Sequence, residues 1–299
     1  MIIRATLIGG VASLVAVATG TSAWRAGPHA LGAPGITLAA TSPETTPEPA
    51  APAESSSPGE APLPIPPVPP RIAEGEDYEK CLDMLATDPT GANTFADAWE
   101  ATGGGDGALH CHALARVELG DPATGAAMLD RLAQSSHAAA AARSIVFSQA
   151  GQAWMMAGEP DRAYASATLA LTLSPADPDL LINRSIAAAG LERYEAAVDD
   201  LNHALELDPK RIDAVIFRAT ALRHLGKLDQ AEEDIDHACT LDPENPDALL
   251  ERGIIRQRRG DLDGAREDWE KAAELAPDSA TGDLAQQNLA LLDAGPSRQ

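Results

Sequence analysis

The chain has 299 residues, with 45 Asp and Glu against 22 Lys and Arg, a formal charge of −23, and 3 Cys. The length accommodates two average domains. So acidic a chain excludes nucleic acid as a natural partner, because phosphate contacts need net basic surface, and it disfavours an anionic membrane face. It favours solubility and leaves room for a basic partner.

Residues 1–25 open with Met-Ile-Ile-Arg, run apolar from Ala5 to about Gly20, and exit through Thr21-Ser22-Ala23. A basic start, an apolar centre and a small-residue exit make a secretory signal peptide. The alternative is a retained anchor, since residues 5–24 are uncharged and long enough to span an inner membrane, although Gly9, Gly10 and Gly20 dilute them. Both readings export the remainder, to the periplasm or cell envelope. No Cys closely follows the apolar run, which argues against a lipoprotein.

Residues 26–76 read as a linker. They include Pro43, Pro47, Pro49 and Pro52, then Leu-Pro-Ile-Pro-Pro-Val-Pro-Pro at 63–70. Such a tract forms neither helix nor sheet and favours an extended spacer.

In residues 77–143, Tyr78, Leu82 and Leu85 keep a helical spacing that ends at Asp88-Pro89. Phe95 and Trp99 mark a second helix, and Gly103–Gly107 reads as the turn that closes it. Leu109–Leu119 reads as a third helix. Gly120-Asp121-Pro122 turns into a fourth that ends near Ala133. Cys81 and Cys111 both lie here and can pair in an oxidising compartment. Two separate thiols are the alternative. A bridge would close a loop of about 30 residues, worth on the order of 3 kcal/mol by chain entropy. Cys239 reads as a small buried side chain.

Residues 144–279 repeat with a step of 34. Pro175, Pro209, Pro243 and Pro277 close four blocks: 144–177, 178–211, 212–245 and 246–279. Within each block Ala163, Ala197, Ala231 and Ala265 recur, as do Ala170, Ala204, Ala238 and Ala272. Leu173, Leu207, Leu241 and Leu275 form another column, and Gly151, Ser185, Ala219 and Gly253 a small-residue column. Each block predicts two helices and a turn. In 212–245 the first is Ile212–Leu225, stopped by Gly226. The second is Leu228–Leu241, stopped before Asp242-Pro243. Small residues fall where two helices approach closely. Neither helix buries its apolar stripe alone, so neighbouring units must stack. Residues 280–294, with Leu284, Leu289 and Leu292, read as a closing helix.

These columns resemble the tetratricopeptide repeat, which has two Ala in the second helix and a closing Pro. Block 178–211 departs at Glu192, where the family places Gly. The resemblance implies an all-α, right-handed α-solenoid, with 77–143 as divergent versions of the same helix pair. It also implies a concave groove lined by first helices. The groove residues are then Gln152 and Met155; Ile182, Asn183 and Ile186; Ile216, Phe217, Thr220 and Arg223; and Leu250, Ile254 and Arg258. The expected ligand is a segment of another protein, anchored apolarly at Ile216 and Leu250, with Arg223 and Arg258 contacting its acidic groups. Members that hold chaperone tails use two Lys, two Asn and an Arg at fixed places. Only Asn183 matches; Ser148, Gln152, Asp213 and Phe217 occupy the others, so that function is not supported.

No catalytic arrangement emerges. In His110-Cys111-His112, helical positions i and i+2 do not face each other, so the triplet is not read as metal ligands. His203 and His237 are a repeat echo. Asp199-Asp200 and Glu232-Glu233-Asp234 read as solvated charge runs. The expectation is a non-enzymatic scaffold with no cofactor, no metal and no small-molecule substrate. Its alternative is a structural protein whose partner is a second copy of itself.

Overall fold

In the computed structural model, residues 70–295 are described. They form thirteen α-helices and, among the described residues, no strand. In chain order these are α1 Glu76–Thr87, α2 Pro89–Ala101, α3 Gly105–Glu118, α4 Pro122–Ser135, α5 Ala140–Met156, α6 Pro160–Leu173, α7 Pro178–Gly190, α8 Tyr194–Leu207, α9 Ile212–His224, α10 Leu228–Leu241, α11 Pro246–Arg259, α12 Leu262–Leu275 and α13 Ala280–Ala294. Residues 1–25 and most of the Pro-rich tract lie outside the described residues. None of the thirteen helices is long and apolar enough to cross a membrane.

Local chemistry sets the helix ends. Pro89, Pro122, Pro160, Pro178 and Pro246 occupy first-turn positions, where a missing N–H costs nothing. The carboxylates of Asp88, Asp121 and Asp261 accept from backbone N–H groups three residues on. Gly158, Gly226 and Gly260 end first helices in the left-handed region, at φ 72°, 73° and 87°. Glu192 holds the same place in its unit, with φ 59° and a side chain that disfavours it.

Consecutive helices pack as antiparallel-type pairs, α5 on α6, α7 on α8, α9 on α10 and α11 on α12, and each second helix packs on the next unit's first. First helices also touch one another across units: α5 meets α7, α7 meets α9, α9 meets α11 and α11 meets α13. They therefore form an inner row, sandwiched on one side by the second helices. This explains why they are apolar nearly all round: α9 buries Ala214, Val215, Ile216, Phe217, Ala219, Ala221 and Leu222. One core runs from Ile72 to Ala221, and a second from Val215 to Ala285 centres on Trp269.

The small-residue column sits at the helix–helix contacts. A Cβ on Gly253 would meet the Trp269 indole at 2.4 Å. Helix α13 begins 34 residues after Pro246 and thus occupies a fifth first-helix position. Asp283 and Gln287 stand there, exposed, where Leu249 and Gly253 are buried in α11. Polar residues on the outward face of a terminal helix act as a cap.

Several local expectations change. Ile72, placed in the linker, is buried in the core, Arg71 pairs with Glu79, and α1 begins at Glu76. Gly103–Gly107 is not one turn: Gly105 and Gly107 are helical, because α3 starts there and packs closely on Trp99. A Cβ on Gly107 would lie 2.8 Å from the indole. Helix α5 starts at Ala140, ahead of its block, where no Gly or Pro marks the boundary.

Candidate protein-binding face

Three ion pairs with buried carboxylates and half-buried arginines brace the units. Arg184 Nε donates to Asp200 Oδ2 at 2.8 Å, Arg218 Nε to Asp234 Oδ2 at 2.8 Å, and Arg252 Nε to Asp268 Oδ2 at 2.9 Å. Each is bidentate, through Nη2 as well. The three pairs recur at the repeat step, joining the two helices of one unit. Asp200 and Asp234 are therefore not solvated charges, as the sequence reading had them; they are 7% and 9% exposed. The signal was present as an Arg column at 184, 218 and 252 and an Asp column at 200, 234 and 268. The first unit lacks the pair. Ser166 replaces the Asp and, with Trp154 Nε1, donates to Asp130 of α4, both at 2.8 Å.

The anticipated groove residues divide into two groups. Ile182, Ile186, Ile216, Phe217 and Leu250 are 4–6% exposed and belong to the cores. Their side chains hold the inner row together and offer little surface to a ligand. Arg223 is buried too, locked to Glu251 of the next unit, with Nη2 at 3.2 Å from Oε2. A guanidinium–carboxylate pair satisfies both charges where neither could stay buried alone. Met155, Asn183, Thr220 and Ile254 are half-buried, and Gln152 and Arg258 are exposed. Asn183 donates to Ser148 Oγ at 2.9 Å, tying α7 to α5.

The accessible inner row thus runs Gln152 on α5, Asn183 on α7, Thr220 on α9, and Ile254 and Arg258 on α11. Its character changes along the array. At the α5 end, Met156 is 49% exposed and stands one repeat step before Gly190. At the same position in the next two units stand His224 and Arg258. The His224 ring stacks on Tyr194, with centroids 4.4 Å apart and planes 9° apart. Burial, then the positive charges of Arg223 and Arg258, hold the His224 imidazole down at about 4. Burial and Arg223 likewise lower Arg258. Burial raises the Tyr194 phenol.

The His110-Cys111-His112 triplet points three ways. Cys111 is bonded to Cys81, with a Cα–Cα distance of 6.2 Å, joining α1 to α3. His110 Nε2 donates to Gln149 Oε1 and its Nδ1 pairs with the Tyr78 hydroxyl, both at 2.7 Å, a chain across α1, α3 and α5. His112 lies between Asp97 and Glu100, at 3.2 and 3.3 Å. Those three residues bring ligand-type atoms within 4.8 Å of one another, with both carboxylates exposed. Cys239 is buried beside Ala238, and burial raises its thiol. His203 and His237 are exposed on second helices.

The sequence model of the tetratricopeptide repeat matches twice, over residues 182–246 and 218–280. No curated protein matches the chain. Among solved structures, the crystal structure of MamA is 19% identical, covers 55% of this chain and 94% of its own, and superposes with a TM-score of 0.47. YrrB, described as a TPR protein with an unusual peptide-binding site, is 19% identical, covers 72% of this chain and 98% of its own, with a TM-score of 0.45. The second TPR domain of human RPAP3, in complex with an HSP70 peptide, is 30% identical over 38% of this chain and 94% of its own, with a TM-score of 0.36. The direct match of the repeat model falls on the units whose helix pairs, small-residue column and closing prolines recur at 34 residues. On that agreement the chain belongs to the tetratricopeptide-repeat family.

Proposed function

We propose that this chain is a non-enzymatic adaptor of the cell envelope, exported by its N-terminal segment, that holds a segment of another protein against its inner row of first helices. The observation that carries this reading is the division of that row. Its large apolar side chains, Ile216, Phe217 and Leu250 among them, are already used to stack the units. What remains accessible on that row is Gln152 and Arg258, exposed, and Asn183, Thr220 and Ile254, half-buried, with Met155 and Met156 on α5. Half-buried polar groups beside flexible methionines suit an adaptable peptide surface. Export is supported by the signal-like residues 1–25 and by the Cys81–Cys111 bridge, which persists in an oxidising compartment. Residues 5–24 would anchor the chain in the inner membrane if they are retained, with the Pro-rich tract as a stalk.

The self-association reading has one observation in its favour, Leu291 on α13, which is 62% exposed. Light scattering of the whole chain, with Leu291→Glu beside it, measures it directly.

The test of the adaptor reading uses the whole chain, immobilised, against envelope extract. Gln152→Lys with Thr220→Lys alters the inner row at accessible positions, and Glu233→Lys alters the outer helices. Both variants should keep wild-type helicity and melting. A protein retained by wild type and by Glu233→Lys, and lost by the inner-row variant, supports the adaptor. Retention by the inner-row variant, or no retained protein with any bait, removes it.

A further inference from the structure

We infer that Asp97 and Glu100 of α2 and His112 of α3 form a binding site for one divalent metal ion of the zinc class. The ion is held through one ring nitrogen and one oxygen of each carboxylate, with water completing the coordination. The inference does not rest on the adaptor reading, since none of the three is among the inner-row residues named above.

Asp97 and Glu100 are three residues apart and share one face of α2. Helix α3 packs on α2 and brings His112 to that face. Its partners thus come from the neighbouring helix, not from the His110-Cys111-His112 triplet. Nε2 of His112 is 3.2 Å from Asp97 Oδ1, and Nδ1 is 3.3 Å from Glu100 Oε2. Nitrogen and oxygen ligands at about 2.0–2.1 Å from a tetrahedral zinc stand roughly 3.3 Å apart, so the donors already lie near the spacing that an ion needs. Asp97 is oriented from its other oxygen, Oδ2, which accepts from Asn93 Nδ2 at 3.3 Å and leaves Oδ1 for the ion.

The charge balance of the cluster calls for a cation. Among the described residues, His112 is the one basic side chain within 4.0 Å of either carboxylate. Lys80, which also reaches α2, lies over the Phe95 ring instead. A neutral imidazole has a single N–H, so one of the two His112 contacts sets a nitrogen lone pair against a carboxylate oxygen. Asn93 Oδ1, on the side chain that holds Asp97, is buried without a donor. Protonation of His112 would relieve the lone-pair contact but set one positive charge against two negative ones. A divalent ion on that nitrogen balances both carboxylates and gives the lone pair a partner. Calcium and magnesium take oxygen ligands, whereas imidazole suits zinc and its neighbours. His112 is half-buried and both carboxylates are exposed, which leaves the ion open to water on one side. The site ties α2 to α3 beside the Cys81–Cys111 bridge, which ties α1 to α3.

The test uses the whole chain, without a polyhistidine tag and with its bridge oxidised, stripped with EDTA, dialysed and titrated with zinc chloride at neutral pH in a calorimeter. Binding should saturate at one ion per chain and raise the melting temperature. His112→Ala should abolish both effects, and His237→Ala, on an outer helix, should change neither. Asp97→Asn and Glu100→Gln keep the side-chain volume at exposed positions, so both should retain wild-type helicity, and each should weaken binding about tenfold or more. Excess calcium chloride should not displace the zinc. Absence of saturable binding would leave His112 as an ion-pair partner alone and overturn the inference. Wild-type affinity in His112→Ala or in Asp97→Asn, or displacement by calcium, would overturn it equally.

Discussion

Gly151 and Gly253 occupy the same place in the first and fourth units, and replacing each with Ala should change stability in opposite directions. Both lie inside first helices, α5 and α11. Ala in a helix interior is favoured over Gly by roughly 0.5–1 kcal/mol, and this gain applies equally to both. The surroundings differ. A Cβ on Gly151 would have the Ala163 carbonyl oxygen at 3.4 Å and nothing else nearer than 3.8 Å, which is ordinary contact. On Gly253 it would meet three atoms of the Trp269 indole at 2.4, 2.6 and 2.9 Å. Trp269 is fully buried and its Nε1 donates to the Leu250 carbonyl at 3.2 Å, so it cannot swing aside without losing that bond. Overpacking of this kind costs about 1–3 kcal/mol. Gly151→Ala should therefore stabilise by about 0.5–1 kcal/mol, and Gly253→Ala should destabilise by about 1–2 kcal/mol net. Urea unfolding followed by far-UV circular dichroism reads both. Adding Trp269→Leu to Gly253→Ala should cost less than Trp269→Leu alone costs wild type. Two changes of the same sign, or additive behaviour of the pair, would refute the close-packing account of the small-residue column.

Glu192→Gly should stabilise by about 1 kcal/mol, because it removes a side chain from the left-handed region at φ 59°; an unchanged melting temperature would contradict the strain. Stability should fall as pH drops below about 6.5, since burial lowers the His110 pKa and holds His224 down at about 4. The unfolded chain then binds protons that the folded chain refuses, and each contribution, fully present above the unfolded value, is lost on acidification. His110→Gln or His224→Gln should flatten that slope in pH-dependent melts. Cys81→Ser with Cys111→Ser should cost on the order of 3 kcal/mol for a loop of this length, concentrated in α1–α3. Hydrogen exchange should rise there and remain unchanged in α9–α12.

The period made the helix pairs legible, because Gly, Pro and Ala mark positions that backbone geometry and close packing constrain. Gly226 and Pro243 bracket α10 as anticipated, and α10 spans Leu228–Leu241. What the period could not distinguish was which way a recurring residue points. Ile216 and Leu250 recur as apolar positions of an inner helix, but those helices touch the next unit's first helix as well as their own partners, so the apolar residues became core. Asp200 and Asp234 read as surface because their Arg partners lie 16 residues away, outside any helical spacing. Near α1–α3 the step is irregular, and Gly104 and Gly107 lie against the Trp99 indole, so the glycine run serves helix packing as well as a turn.

The central claim, that a partner lies against the inner row, is tested most directly by placing a photo-crosslinking amino acid at single positions in the producing cell. Gln152 and Thr220 represent the inner row, and His203 and Glu233 the outer helices. The account predicts adducts with one other protein from the inner positions and none from the outer ones. Adducts confined to the outer positions, or only dimers of this chain, would contradict it.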